Sequence, residues 1–301
     1  MSTVALTGAS GFVGGHVLRQ LQGAGHEVRA LTRRPMRPHD GVTWIGGDLA
    51  DESALAELVA GCDAVIHVAG VLNASNRAGF EAGNVAGTQL LLDAAVNAAV
   101  KRFVHTSSLA AREPRLSLYG ASKARSEELV RAAPLSSAIV RPPAVYGPGD
   151  RETLDLFRMA KRHLVLLPPR GRLSLIHVDD LARLLVAFSD PAAAAELTVE
   201  PDDSSGGYTH AEFARLLGDA VGRTVLPLPT PQSLLRIGAR IDRLVRGGRA
   251  KLTADRVAYF CHPNWVANPA LAPAPSLWQP RISAADGIRT TAHWYRAQHW
   301  L

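Results

Sequence analysis

Through the first 141 residues, short apolar runs alternate with stretches whose apolar positions recur every three or four residues. Val4–Thr7, Val28–Leu31, Val42–Ile45, Ala64–Val68, Arg102–Thr106 and Ser137–Arg141 read as strands. Gly14–Gln22, Glu52–Ala60, Phe80–Ala99 and Ser122–Ala132 read as helices. Such alternation predicts an α/β fold, a parallel sheet with helices on both faces. After Arg141 the rhythm breaks, and Pro142-Pro143 and Gly147-Pro148-Gly149 punctuate the chain. Shorter elements and Pro/Gly loops follow, with an alanine cluster near Ala192–Ala195 and a proline-rich stretch, Asn264 to Pro280, expected to run extended. The division predicted is a front domain over 1–148 and a smaller lobe over 149–301 interleaved with it.

Between the first strand and the first helix the chain reads Thr7-Gly8-Ala9-Ser10-Gly11-Phe12-Val13-Gly14. Gly8 permits a tight turn, Gly11 lets backbone approach a phosphate, and Gly14 lets helix and strand pack closely. Loops use glycine freely, so the spacing alone says little. Placed between strand and helix, it reads as a dinucleotide-binding turn. The second strand ends Thr32-Arg33-Arg34 with no carboxylate. An NAD site wants an acid there for the ribose 2′-hydroxyl, whereas arginine suits the 2′-phosphate of NADP. The plainer alternative is a basic surface loop; the NADPH reading is preferred.

Tyr119 and Lys123 stand four apart in a helical pattern, hence on one helix face. An ammonium beside a phenol stabilises the phenolate and fits the tyrosine for proton transfer near neutral pH. Upstream, Phe103-Val104-His105-Thr106-Ser107-Ser108 ends a strand in hydroxyls. Ligands of such sheets sit at the carboxyl ends of strands, which places Ser108 to bond a carbonyl oxygen. An isolated Tyr/Lys pair is more often a surface feature; the glycine turn and the serines reverse that preference.

Together these segments make the chain resemble the extended short-chain dehydrogenase/reductases, the NAD(P)-dependent epimerase/dehydratase family. The resemblance also rests on Gly47-Asp48-Leu49, His67-Val68-Ala69-Gly70, Asn84-Val85-Ala86-Gly87-Thr88, Arg141-Pro142-Pro143-Ala144-Val145-Tyr146-Gly147-Pro148-Gly149 and Ile176-His177-Val178-Asp179-Asp180-Leu181-Ala182. It implies a doubly wound, parallel-sheet Rossmann fold with a smaller C-terminal substrate lobe. It implies Ser108 as carbonyl polariser, Tyr119 as acid/base, and Lys123 as its partner and a ribose ligand. Asp48 would contact adenine. Gly8, Ser10, Gly11, Phe12, Val13, Gly14, Arg33, Arg34, Leu49, Val68, Ala69, Gly70, Thr106, Pro142 and Val145 would complete the cofactor site. Asn84 has two readings, a family role or a side chain satisfying a backbone carbonyl. Asp179 and Asp180 are read as caps of the following helix, and His177 as a satisfied histidine of the core or cleft wall. Only ten residues separate Ser108 from Tyr119, short for this family, which would leave the cleft mouth open to a bulky substrate.

Composition narrows the function classes. A chain of 301 residues, 47% hydrophobic and 20% charged, is globular and long enough for a large core. No apolar run approaches bilayer length, and no signal-type stretch opens the chain. Two distant cysteines, Cys62 and Cys261, fit a reduced cytoplasmic compartment and offer no metal site. The net charge of +6 gathers in Pro231–Lys251. There Leu234, Ile237 or Gly238, Ile241, and Leu244 or Val245 form an apolar stripe, while Arg236, Arg240 and Arg243 lie on another face and Arg246, Arg249 and Lys251 follow. The preferred reading packs the stripe inward and solvates the arginines; the alternative is peripheral contact with an anionic membrane. Nothing resembles a nucleic-acid platform. The aromatic C-terminus, Trp294 to Leu301, is expected to dock onto the fold.

The expectation is an NADPH-dependent reductase that turns a ketone into a secondary alcohol. The resemblance extends to bacterial reductases of 3-keto sphingoid bases and ceramide precursors, which implies a lipid-like small-molecule substrate. One alternative is an NAD-dependent nucleotide-sugar epimerase or dehydratase; another is a non-catalytic NADPH-binding assembly subunit. Homodimerisation through Phe80–Ala99 is a further expectation.

Overall fold

The computed structural model describes residues 2–193, 197–247, 250 and 252–301. Ala194 and Ala195 of the alanine cluster, and Arg249 and Lys251 of the basic segment, lie outside the described residues. The chain divides into two units. Met1–Arg141, Leu181–Val199 and Pro273–Trp278 form the first; Pro142–Asp180, Glu200–Ala272 and Gln279–Leu301 form the second.

The six anticipated strands form where the apolar runs lie: β1 (Thr3–Thr7), β2 (Glu27–Thr32), β3 (Val42–Gly46), β4 (Ala64–His67), β5 (Arg102–Thr106) and β6 (Ser137–Val140). The second unit supplies β7 (Ala144–Tyr146), β8 (Leu164–Leu167), β9 (Arg172–Leu173) and β10 (Leu175–His177). The chain then returns to the first unit for β11 (Leu197–Val199). It ends its strands in the second with β12 (Tyr208–Thr209), β13 (Leu226–Pro229) and β14 (Asn264–Trp265). In the first unit, seven parallel strands lie in the order β11-β6-β5-β4-β1-β2-β3. The direction of winding reverses between β1 and β4, the switch point at which doubly wound sheets open a crevice at their strand ends. Its helices are α1 (Phe12–Gly23), α2 (Glu52–Val59), the short α3 (Arg77–Phe80), α4 (Gly87–Asn97) and α5 (Leu118–Ala132).

Two helices depart from expectation. The single helix anticipated over Phe80–Ala99 is α3, a π-helical turn at Glu81–Ala86, and α4. Helix α5 starts four residues before the anticipated Ser122, because the Ser117 hydroxyl caps it by accepting from Gly120 N at 2.9 Å.

One face of the sheet changes character along the strands. Side chains two apart share a face, and Ala5, Val65 and Phe103 join Leu55, Leu58 and Leu91 in the core. One step further along the same face, Thr7, His67 and His105 lie side by side, all buried. Thr88 gives its hydroxyl proton to Asn84 O and Ser126 gives its own to Lys123 O, both at 2.8 Å. Each hydroxyl is therefore left to accept, and His67 and His105 donate to them from Nε2 at 3.0 Å. His67 Nδ1 then accepts from Thr7 at 2.7 Å, and the Thr7 oxygen accepts from Ala69 N at 3.2 Å. Both rings are fixed as neutral tautomers. Burial is the main cause, helped by the nearby Lys123 charge: His67 is pushed down to about 3 and His105 well below the ordinary histidine value.

In the second unit, β7 pairs with β10, β8 with β13, and β9 with both β12 and β14. Its helices are α6 (Leu154–Lys161), α7 (Val178–Phe188, which continues into the first unit), α8 (His210–Val221), α9 (Gln232–Arg246), α10 (Ala254–Phe260) and α11 (Ala284–Ala297). Tyr146, Phe157, Phe213, Ile288 and Tyr295 centre its core. The C-terminal aromatics dock there: Trp300 stacks on Tyr295, whose hydroxyl donates to Asp150 O at 2.7 Å. The stretch expected to run extended holds β14 and a 3-10 turn at Pro269–Leu271. Asp180, expected as a cap, lies inside the first turn of α7 and accepts from both Arg281 N and Ile282 N, tying down the approach to α11.

The inward-packing reading of the basic helix is corrected. In α9, Leu234, Ile237, Ile241, Leu244 and Val245 are all exposed, and only Ala239 is buried. The helix instead packs through a narrow face of small and polar residues, where Gly238 faces Leu252 and Asp242 accepts from Leu252 N at 2.8 Å.

The sheet histidines make stability pH-dependent. Unfolded histidine titrates near pH ~6.5, whereas the folded rings stay neutral far below that. Their contribution is complete above about pH 6.5 and is lost as pH falls towards the folded values. Urea melts are expected to lose stability below pH ~6.5 at about 1.4 kcal/mol per pH unit for each histidine, and His105→Gln should roughly halve the slope. A midpoint flat between pH ~6.5 and ~5 would contradict neutral, buried rings.

Candidate active site

The anticipated residues of the first unit line one edge of its sheet, strand end by strand end. Beyond β1, Gly8 turns at φ +77°, and a Cβ there would lie 2.8 Å from Ala69 N at the end of β4. A Cβ at Gly14 would fall on the Gly8 carbonyl. Gly11 N bonds Gly8 O at 2.9 Å, and Gly11 caps α1 with no side-chain acceptor and no acid in the first turn. The positive end of α1 is thus left to an external anion, in a cradle of backbone that side chains would fill. Ser10 is exposed there, and Phe12 and Val13 are half-buried. This shape fits a dinucleotide pyrophosphate.

Beyond β2, the Thr32 hydroxyl accepts from Arg34 N and donates to Arg34 O, closing a turn on which Arg33 and Arg34 are both exposed. Gly47 N donates to Thr32 O at 3.0 Å, which brings Asp48 and Leu49 beside that turn. Asp48 is exposed and accepts from Ala50 N at 2.8 Å, while Leu49 packs on the core. Beyond β4, Val68 and Ala69 are half-buried and Gly70 is exposed. Asn84 grips the next residue from both sides: Val71 N donates to its Oδ1 at 2.6 Å, and its Nδ2 donates to Val71 O and to Ser122 Oγ, both at 2.9 Å.

Beyond β5, Ser108 is buried and caps a 3-10 turn, Leu109–Arg112. That turn lies against α5. A Cβ at Gly120 would sit 2.6 Å from Ala110 O, so the glycine after Tyr119 is what lets the two segments approach. Tyr119 is half-buried, its ring 6.3 Å from that of Phe80. Lys123, one turn on, is buried and donates from Nζ to Thr106 O at 2.8 Å. Burial pushes its ammonium down to about 8, against the pull of the Glu127 carboxylate. Pro142 and Val145 fall in the second unit, Pro142 buried and Val145 half-buried on β7.

Sequence reasoning missed the charge cluster behind Lys123. Glu127 is 1% exposed, and its two oxygens take four bonds. Arg141 donates in bidentate fashion at 2.8 and 2.7 Å, Arg131 at 2.7 Å and Ser107 at 2.5 Å. Burial alone would raise this carboxyl; the bonds from Arg141 and Ser107 outweigh it and hold the group below the ordinary glutamate value. The signal was the spacing Tyr119, Lys123, Glu127, Arg131, one helix face at intervals of four.

Residues 4–197 match the NAD dependent epimerase/dehydratase family. The chain belongs to that family. Its members are nicotinamide-dependent, in keeping with the cradle at α1. Among curated relatives, the chain is 39% identical to a ceramide reductase of Caulobacter vibrioides, covering 99% of this chain and 96% of that one. It is 29% identical to a 2-alkyl-3-oxoalkanoate reductase of Stenotrophomonas maltophilia, covering 95% and 97%. Among solved structures, MoeE5 in complex with UDP-glucose and NAD superposes with a TM-score of 0.77 at 22% identity, covering 99% of this chain and 100% of that one, a likeness of fold.

The buried cluster gives a stability prediction. Glu127→Ala would strand the Arg141 guanidinium, only 16% exposed, without its carboxylate. Denaturant unfolding should register a loss of about 3–5 kcal/mol. A loss under about 1 kcal/mol, the range of a surface ion pair, would contradict the arrangement.

Proposed function

We propose that the protein is an NADPH-dependent reductase that converts a hydrophobic, lipid-like ketone, such as a 3-keto sphingoid base or ceramide precursor, to its secondary alcohol. The carrying observation is the buried Lys123, held on Thr106 O one helical turn beyond Tyr119, on the helix that packs against the segment capped by Ser108.

In this reading the backbone cradle of Gly8–Gly14, with Ser10, Phe12 and Val13, holds the pyrophosphate, and Val68, Ala69 and Gly70 line the remainder within the first unit. Arg33 and Arg34 grip the 2′-phosphate on the turn that Thr32 closes, while Asp48 has turned one carboxylate oxygen to its own loop. A nicotinamide held there would supply the hydride that the ketone carbon takes up. Ser108 steadies the carbonyl oxygen by a hydrogen bond, and Tyr119 gives that oxygen its phenolic proton. The Lys123 ammonium makes the phenol a readier donor by stabilising the phenolate left behind. The names of the two curated relatives, both reductases, support the reaction class, and the short link from Ser108 to Tyr119 supports a bulky substrate.

Two measurements test this. Titration of wild type should favour NADPH over NADH, and Arg33→Ala should weaken NADPH by roughly 10- to 100-fold, the worth of a charge-assisted bond, while leaving NADH unchanged. NADH preference, or indifference to Arg33, would overturn the cofactor assignment. With long-chain 3-keto lipids as substrates, Tyr119→Phe should lower kcat by about 10²- to 10⁴-fold with NADPH binding retained. Full activity in Tyr119→Phe would sink the mechanism.

A further inference from the structure

Helix α9 presents three distinct faces. At 3.6 residues per turn, Leu235, Gly238, Ala239 and Asp242 share the arc that packs on the second unit. Leu234, Ile237, Ile241, Leu244 and Val245 occupy a second arc about 100° wide, open to solvent, from 49% exposed at Ile237 to 85% at Leu244. Arg236, Arg240 and Arg243 form a third arc along the far edge of the apolar one, all exposed. Asp242 is the helix's sole acid; it lies on the packed face, accepts from Leu252 N and pairs with Arg246 at 3.3 Å. No negative charge stands on either open arc.

Five large aliphatic side chains in a continuous stripe are not left in water without a cover. The charge pattern selects the cover. Arginine stems can lie along apolar surface while their guanidiniums reach outward to phosphates, and a basic flank beside an aliphatic stripe is the form of a helix lying in a bilayer interface. A second copy fits less well, since antiparallel pairing of two such stripes sets both arginine rows along one edge, where they repel. The strand running into α9 adds to the apolar surface of this unit: Leu226 and Leu228 on β13, with Leu166 opposite on β8, are exposed.

We propose that α9 is a membrane-docking helix whose Leu234–Val245 stripe enters the surface of an anionic phospholipid bilayer, with Arg236, Arg240 and Arg243 on the lipid phosphates. This holds whatever ketone the enzyme reduces. Among the described residues no helix is long and apolar enough to cross a membrane, so the contact is one of lying on the surface.

Flotation of the full chain with vesicles tests it. Wild type should rise with phosphatidylcholine–phosphatidylglycerol vesicles and far less with phosphatidylcholine alone, and added salt should weaken the binding. Each of Arg236→Gln, Arg240→Gln and Arg243→Gln should weaken partitioning about fivefold, the worth of one basic residue near an anionic surface. Leu244→Glu should abolish most binding yet keep its circular dichroism and NADPH affinity, which separates this proposal from the cofactor reading. Absence of binding to the anionic vesicles, or binding that survives Leu244→Glu, overturns the proposal. So does a lipid-free dimer that Leu244→Glu dissolves, which would assign the stripe to a second copy.

Discussion

Two opposite charges stand one turn apart on α5 and both are out of water. Neither Lys123 nor Glu127 can be buried alone, because an uncompensated ion in the interior costs several kcal/mol. Glu127 meets that demand with Arg141, Arg131 and Ser107, and Lys123 meets it with the Thr106 carbonyl. These partners come from the end of β5, the residue after β6, and α5 itself. Satisfying the two charges therefore fixes the helix against two strand ends. Tyr119 and the Ser108 turn inherit their placement from that attachment.

A second layer of the same logic lies beneath it. On one face of the parallel sheet β1, β4 and β5 pass from apolar to polar towards their ends, and the Thr7, His67 and His105 row marks the change. Each hydrogen in that row has an assigned destination, running from Ala69 N through Thr7 and His67 to Thr88 and Asn84 O. The chain that faces the edge of the sheet is thereby tied to the strands through side chains as well as through the ladder.

Much of this was legible in the residues. Six strands announced themselves as apolar runs, since parallel strands are covered on both faces. The strand-end candidates fell along one edge because topology leaves them nowhere else. The three-residue β11 was too short to register. The true start of α5 was hidden in the polar Ser117 cap, ahead of the apolar pattern. Glu127 looked like one more helix-surface acid, because periodicity shows which residues share a face and not which partners another strand will bring. The same limit produced the error at α9. Amphipathicity established that an apolar stripe exists, and the residues that cover or fail to cover it belong to other parts of the chain.

The first unit is assembled from three separated stretches of chain, and this sets an order on its birth. Strands β1 to β6 leave the ribosome well before β11, so until then β6 is an open sheet edge, able to pair with a neighbouring nascent chain. Arg131 reaching Thr198, Arg141 N on Val199 O, and the buried Arg102 on Phe188 O are all bonds to the returning segment. These three arginines are in the chain before that segment is made, Arg131 and Arg141 on Glu127 and Arg102 on Ser136. The edge is thus closed by the chain's own late-made strand, β11, which competes with any neighbouring copy for β6 once it arrives.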